Sequence, residues 1–185
     1  MAGWQVLDKS FEQGLALFAE LKGLVQRWMK PRGLVAFERF DDHVKKALVL
    51  ANSEARAVGS KYILTEHILL GIVAEGTASG AQLVKQIVPD IAAVRAAVMT
   101  HLRGKETKQI TAESAPGEKT KQVIEFAIEE ARSLGRPKIG TEHILLGLLR
   151  QEQATAAVVL ASLGVTESGV RQVIQTAVHA TGGTR

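Results

Sequence analysis

Thr65-Glu66-His67-Ile68-Leu69-Leu70-Gly71 recurs without change as Thr141-Glu142-His143-Ile144-Leu145-Leu146-Gly147, an offset of 76 residues. An identical heptapeptide is not a chance event, and the register extends toward the N-terminus. Ala51, Glu54, Ala55, Arg56, Gly59 and Ile63 meet Ala127, Glu130, Ala131, Arg132, Gly135 and Ile139 at the same offset. The body of the chain is two copies of one unit, so its fold must be a way of stacking that unit on itself.

Each copy reads as helical. Val44, Ala47, Leu48, Ala51, Ala55 and Val58 fall at the three- and four-residue spacings of one helix face, and Gly59 supplies a C-terminal stop. A second helix starts at Thr65, whose hydroxyl is expected to cap the orphan amides, and runs to about Gly76. Ser79 to Ile87 gives a third, and a fourth begins near Asp90 and carries Ile91, Val94, Val98 and Leu102. The second copy repeats this over 118–134, 141–150, 154–163 and 166–179. The expected fold is all-α: two pseudo-twofold-related four-helix repeats, packed face to face, behind an N-terminal amphipathic helix.

Outward from the repeats, the chain divides into a leader and linker over 1–36, a first repeat over 37–103, a polar connection over 104–117, a second repeat over 118–180 and a tail over 181–185. The leader has its own pattern. Trp4, Leu7, Phe11, Phe18, Leu21, Val25 and Trp28 occupy heptad a and d positions, with Asp8, Lys9, Glu12, Glu20, Lys22 and Arg27 off the stripe. Six of the eight aromatic residues lie in the first forty positions, which leaves the repeats to pack on aliphatic side chains. The apolar stripe either lies on the chain's own body, pairs with a second copy as a homodimer, or docks onto a partner, and these residues are the docking candidates.

Composition narrows the chemistry. There is no cysteine among the 185 residues, which excludes disulfides and thiol nucleophiles, and the 46% of hydrophobic residues is enough to bury a core. Lys and Arg exceed Asp and Glu by only +4 and are spread along the chain, so no nucleic-acid partner is expected. No apolar run approaches the ~18 residues of a membrane span and no signal pattern opens the chain, so no membrane partner and a cytoplasmic location are expected. His67 and His143 have no companion ligands at metal-binding spacing and read as helix-packing or locally hydrogen-bonded residues, so neither metal nor cofactor is expected. The carboxylate pairs Asp41-Asp42 and Glu129-Glu130 read as caps or solvated groups, and Glu54-Arg56 with Glu130-Arg132 as structural. No serine stands in a Gly-x-Ser-x-Gly turn and no Gly-x-x-x-x-Gly-Lys-Ser/Thr phosphate loop occurs, so neither hydrolase nor motor activity is expected.

The doubled Thr-Glu-His-Ile-Leu-Leu-Gly, each copy preceded by a helix ending Glu-Ala-Arg-x-x-Gly, resembles the Clp repeat domain found at the amino terminus of the Clp unfoldases, ClpC above all. Gly147-Leu148-Leu149-Arg150 and Leu160-Ala161-Ser162-Leu163-Gly164-Val165 extend the likeness. Leu64 departs from it, standing where the family, like Gly140 in the second copy, has glycine. The resemblance implies an eight-helix, non-enzymatic binding module that serves a Clp unfoldase or a ClpP-containing protease. It also implies that Thr65, Glu66, Thr141 and Glu142 bind phosphoarginine-type ligands, with helix amides holding the phosphate and the carboxylate holding the guanidinium.

Its partners would be substrate or adaptor proteins, with the chain acting as adaptor or decoy. The alternative is the substrate-recognition part of a longer ClpC-type ATPase. A DNA-binding helical regulator is a remote rival, since the second helix of each copy is apolar and carries Arg150 as its only basic residue besides histidine.

Overall fold

The computed structural model describes Gly23, residues 37–102 and residues 115–181. The leader stripe from Trp4 to Trp28, most of the connection and residues 182–185 lie outside the described residues. Among the described residues eight α-helices follow one another: α1 (Asp42–Ala57), α2 (Thr65–Glu75), α3 (Ser79–Ile87), α4 (Ile91–Leu102), α5 (Glu118–Ser133), α6 (Thr141–Arg150), α7 (Thr155–Ser162) and α8 (Glu167–Thr181). The fold is all-α, in two groups of four helices that correspond through the 76-residue offset.

The first helix of each group is amphipathic and stops alike. Val44, Ala47, Leu48, Ala51 and Ala55 of α1 are buried, as are Val123, Ile124, Ala127, Ile128 and Ala131 of α5. Gly59 and Gly135 follow these helices at φ 66° and 63°, a left-handed conformation that a Cβ would strain. The second helices, α2 and α6, are buried on nearly every side and form the centre of the molecule. They approach the first helices closely through the glycine that ends the repeated heptapeptide. A Cβ at Gly71 would overlap the carbonyl oxygen of Ala47, and one at Gly147 that of Val123. Helix backbones touch there, and Ile68, Leu69, Leu145, Leu146 and Leu148 fill the space around the contact as fully buried aliphatics.

The two groups hold each other by reciprocal contacts. A short strand β1 (Tyr62–Ile63) pairs in parallel with β2 (Ala115–Pro116), Ile63 facing Pro116, while the equivalent pair in the other direction is a single bridge between Phe40 and Ile139. The Gly117 amide donates to the Ile63 carbonyl at 3.0 Å, and the Asp41 amide to the Ile139 carbonyl at 3.0 Å. Ala115 and Pro116, at the end of the stretch expected to be a plain connection, are thus part of the ladder.

The threonines of the heptapeptide cross over as well. The N-cap of α2 is Leu64 and that of α6 is Gly140, so Thr65 and Thr141 are not the caps of their own helices. Their hydroxyls accept from the other group: Thr141 from the Gly80 amide at 2.9 Å and Thr65 from the Ala156 amide at 3.5 Å. These amides open α3 and α7, whose own N-caps, Ala78 and Ala154, carry no acceptor. Gly80 lies so close that a Cβ there would sit 2.6 Å from the Thr141 carbonyl oxygen.

The fourth helix of each group is tied to the first by an arginine fork. Arg95 donates to Glu54 at 2.7 and 2.9 Å, and Arg171 donates to Glu130 at 2.7 and 2.8 Å. Glu130 is buried rather than solvated, which corrects its reading as a surface carboxylate. Hydrogen bonds from Arg171, joined by Arg150, hold its carboxyl below the usual range against the cost of burial. Glu54 and Glu130 are structural, as the repeated spacing suggested: Arg95 donates to the first, and Arg171 and Arg150 donate to the second.

The close approach of α2 to α1 and of α6 to α5 leaves no room for a methyl group. Gly71→Ala and Gly147→Ala should each lower unfolding free energy by roughly 2 kcal/mol in urea titration, despite the better helix propensity of alanine. Unchanged midpoints would show that the helices part without cost.

Candidate functional site

The motif residues Thr65, Glu66, Thr141 and Glu142 stand at the starts of the two central helices, one start per group, related by the pseudo-twofold. An α-helix start presents amides without intrahelical acceptors and the positive end of the macrodipole. The first α-helical bonds of α2 and α6 run from Ile68 and Ile144 to the carbonyls of Leu64 and Gly140, so the amides of Thr65, Glu66, Thr141 and Glu142 have no such partner.

The histidines of the motif fix the shape of these starts. His67 Nδ1 accepts from the Leu64 amide at 3.0 Å, and His143 Nδ1 accepts from the Gly140 amide at 2.8 Å. This is the return half of a capping box, the only half possible where the N-cap residue has no side-chain acceptor. Both rings are buried, and burial holds both imidazoles below their ordinary pKa, opposed chiefly by the carboxylates of Glu66 and Glu142. The neutral tautomer that accepts at Nδ1 carries its proton on Nε2. At His67 that atom is buried without a hydrogen-bond partner. Local hydrogen bonding is thus what the structure gives these two residues.

The two carboxylates that follow the threonines are placed differently. Glu66 is 2% exposed and accepts from the Thr65 hydroxyl at 3.1 Å. The Glu142 side chain is 23% exposed and lies over the α-carbon of Gly140. Thr65 and Thr141 are both buried, and their hydroxyls are engaged across the molecule. Of the four motif residues Glu142 is thus the one that is partly exposed, with the threonines as scaffolding.

A cleft of about 750 Å³ opens at the start of α2. Beyond the motif residues, Lys61, exposed Tyr62 and Leu64 line it from one group, and Lys119, Thr120 and Gln153 from the other. None of these was singled out from sequence as a ligand-facing residue except Leu64, since the cleft joins positions far apart in the chain. At the second start, Asp41 acts on His143 from the opposite group. Near it Glu75, buried, accepts from His43 at 3.0 Å, from the Thr77 hydroxyl at 2.6 Å and from the amides of Thr77 and Ala78. Burial alone would raise this carboxyl, but those donors outweigh it and bring it down to about 2. Among the described residues no group of three His, Asp or Glu side chains is arranged to hold a metal ion.

A family model for the Clp repeat (R) N-terminal domain matches residues 39–160 and 115–182. The chain belongs to this family. The chloroplast chaperone ClpC1 of Oryza sativa subsp. japonica is 39% identical over an alignment of 154 residues that covers 79% of this chain and 17% of that protein. A ClpA homolog, an ATP-binding subunit of the ATP-dependent Clp protease from Porphyra purpurea, is 41% identical over 140 residues, 75% of this chain and 17% of the relative. The chain thus spans a minor part of the curated relatives it matches. Among solved structures, the N-terminal domain of the caseinolytic protease associated chaperone ClpD from Arabidopsis thaliana superposes with a TM-score of 0.61 at 28% identity, over 77% of this chain and 99% of that one. The N-terminal domain of Hsp104 from Candida albicans shares the fold, with a TM-score of 0.61 at 19% identity over 79% and 93% of the two chains.

The buried histidine caps carry a pH signature. A histidine whose folded pKa is depressed contributes stability above its unfolded pKa of about 6.5, and that stability is lost as pH falls. His43, raised by its hydrogen bond to Glu75, acts in the opposite sense. A His67→Gln, His143→Gln double variant keeps an acceptor for the N-cap amide but takes up no proton. Relative to it, the natural protein should lose urea stability between pH 7.5 and 5.5, and the comparison cancels the contribution of His43. Parallel curves would rule out neutral histidine caps.

Proposed function

We propose that this chain acts by binding, as the substrate- and adaptor-receiving domain of a ClpC-type unfoldase system. It takes arginine side chains bearing a phosphoryl group at the starts of its central helices. The observation that carries the reading is the pairing, at the start of α6, of a partly exposed Glu142 carboxylate with two amides lacking intrahelical acceptors. A phosphoguanidinium group is anionic at one end and cationic at the other. Amides at a helix start favour the phosphate, and the carboxylate favours the guanidinium through charge-assisted hydrogen bonds. Each half of such a ligand finds its complement within one helical turn.

Two further observations favour protein binding. The second helices, which a helix-turn-helix reader of DNA would have to lay in a groove, are buried in the centre of the molecule. The solved relative with the most sequence in common among those compared above is the N-terminal domain of a protease-associated chaperone, which favours a receiving domain of an unfoldase over a free adaptor or decoy. Clp components, adaptors and tagged substrates are the partners this reading assigns.

A Glu66→Ala, Glu142→Ala double variant should keep the helical circular dichroism of the natural protein and lose binding of a phosphoarginine-containing peptide by roughly tenfold or more in calorimetry. Unchanged affinity would refute the assignment of the helix starts. Binding of the same peptide carrying unmodified arginine with equal strength would refute the role of the phosphate.

A further inference from the structure

The two helix starts have the same backbone but not the same site. The N-cap residues Leu64 and Gly140 take φ −96°, ψ 171° and φ −95°, ψ 174°. Neither needs glycine for its conformation, since both lie in the extended region open to any residue. What the missing side chain at 140 supplies is space. A Cβ there would overlap both carboxylate oxygens of Glu142, which shows that this carboxylate rests on the bare α-carbon of Gly140. At the first start the Leu64 side chain occupies that place. The Glu66 carboxylate is instead turned inward, 2% exposed, onto the Thr65 hydroxyl.

A compensating exchange stands opposite. Leu64 Cδ2 lies where a Cβ at Gly117 would come within 2.9 Å, so the leucine needs the glycine in front of it. The position equivalent to Gly117 is Asp41, which carries a carboxylate and acts on His143 at the second start. At the first start Leu64 stands against Gly117, within a rim that carries Lys61, Lys119 and Glu118. At the second, the carboxylates of Glu142 and Asp41 and the guanidinium of Arg136 all act on His143. What separates the two for a guanidinium is the carboxylate it can meet: the Glu142 side chain is partly exposed, whereas Glu66 is buried.

We propose that Leu64 is the specificity-determining residue of the domain: it withdraws the Glu66 carboxylate from ligand reach, so that only the start of α6 accepts the guanidinium end of an arginine-derived ligand. This rests on the reading given under Proposed function.

The test combines stoichiometry with a measurement that needs no ligand. In calorimetry with free phosphoarginine the full chain should bind one equivalent, Leu64→Gly should bind two, and Gly140→Leu should bind roughly tenfold or more weakly. Two equivalents for the natural chain, or an unchanged count for Leu64→Gly, would overturn the proposal. Independently, carbodiimide coupling of an amine to the native proteins, read by peptide mass spectrometry, should modify Glu142 about tenfold faster than Glu66, in keeping with their exposures. The ratio should fall toward one in Leu64→Gly. If no variant binds phosphoarginine but the labelling ratio collapses as expected, the ligand reading fails while the role of Leu64 in withdrawing Glu66 stands. If the labelling ratio is the same in both proteins, the role of Leu64 fails whatever the calorimetry gives.

Discussion

The hydroxyl of one threonine, reaching across the molecule to a helix whose N-cap is alanine, is the interaction on which the rest of the structure depends. α3 and α7 start without a cap of their own, and the Gly80 and Ala156 amides find their acceptors on Thr141 and Thr65 of the opposite group. The contact is reciprocal, residue for residue, in the manner of an isologous interface between identical subunits. It draws the starts of α2 and α6 into the centre and forbids a side chain at Gly80. The crossed bridges Phe40–Ile139 and Ile63–Pro116 reinforce the same axis.

Much of this architecture was legible in the sequence because duplication writes a structure twice. Helix ends at Gly59 and Gly135 and the buried faces of α1 and α5 follow from spacing alone. The threonines misled, since Ser or Thr ahead of an apolar run reads as a local cap, and nothing local separates that from a cap given to a helix 61 or 91 residues away. The same limit applies to Glu130. Its arginine partners, Arg150 and Arg171, come from other helices 20 and 41 residues on. Strands of two residues such as Tyr62–Ile63 have no periodicity to detect.

The candidate site shows what duplication hides. Because the heptapeptides are identical, the two starts read as equivalent, and the difference lies one residue outside them, at Leu64 and Gly140. From sequence that residue is a departure from a family pattern. In the structure it becomes a question of volume over one α-carbon, and of whether a carboxylate faces water or the interior. The histidines, by contrast, do the same thing twice, because their partner is a backbone amide three residues away and local geometry is conserved with the sequence that encodes it.

Caps exchanged between halves also bear on how the molecule opens. When a helix carries its own cap, it frays alone; when the cap belongs to its counterpart, loosening either start removes a hydrogen bond from the other half. The starts of α2 and α7, and of α6 and α3, are thereby coupled across the two groups. An opening at one helix start therefore costs a hydrogen bond that both halves share.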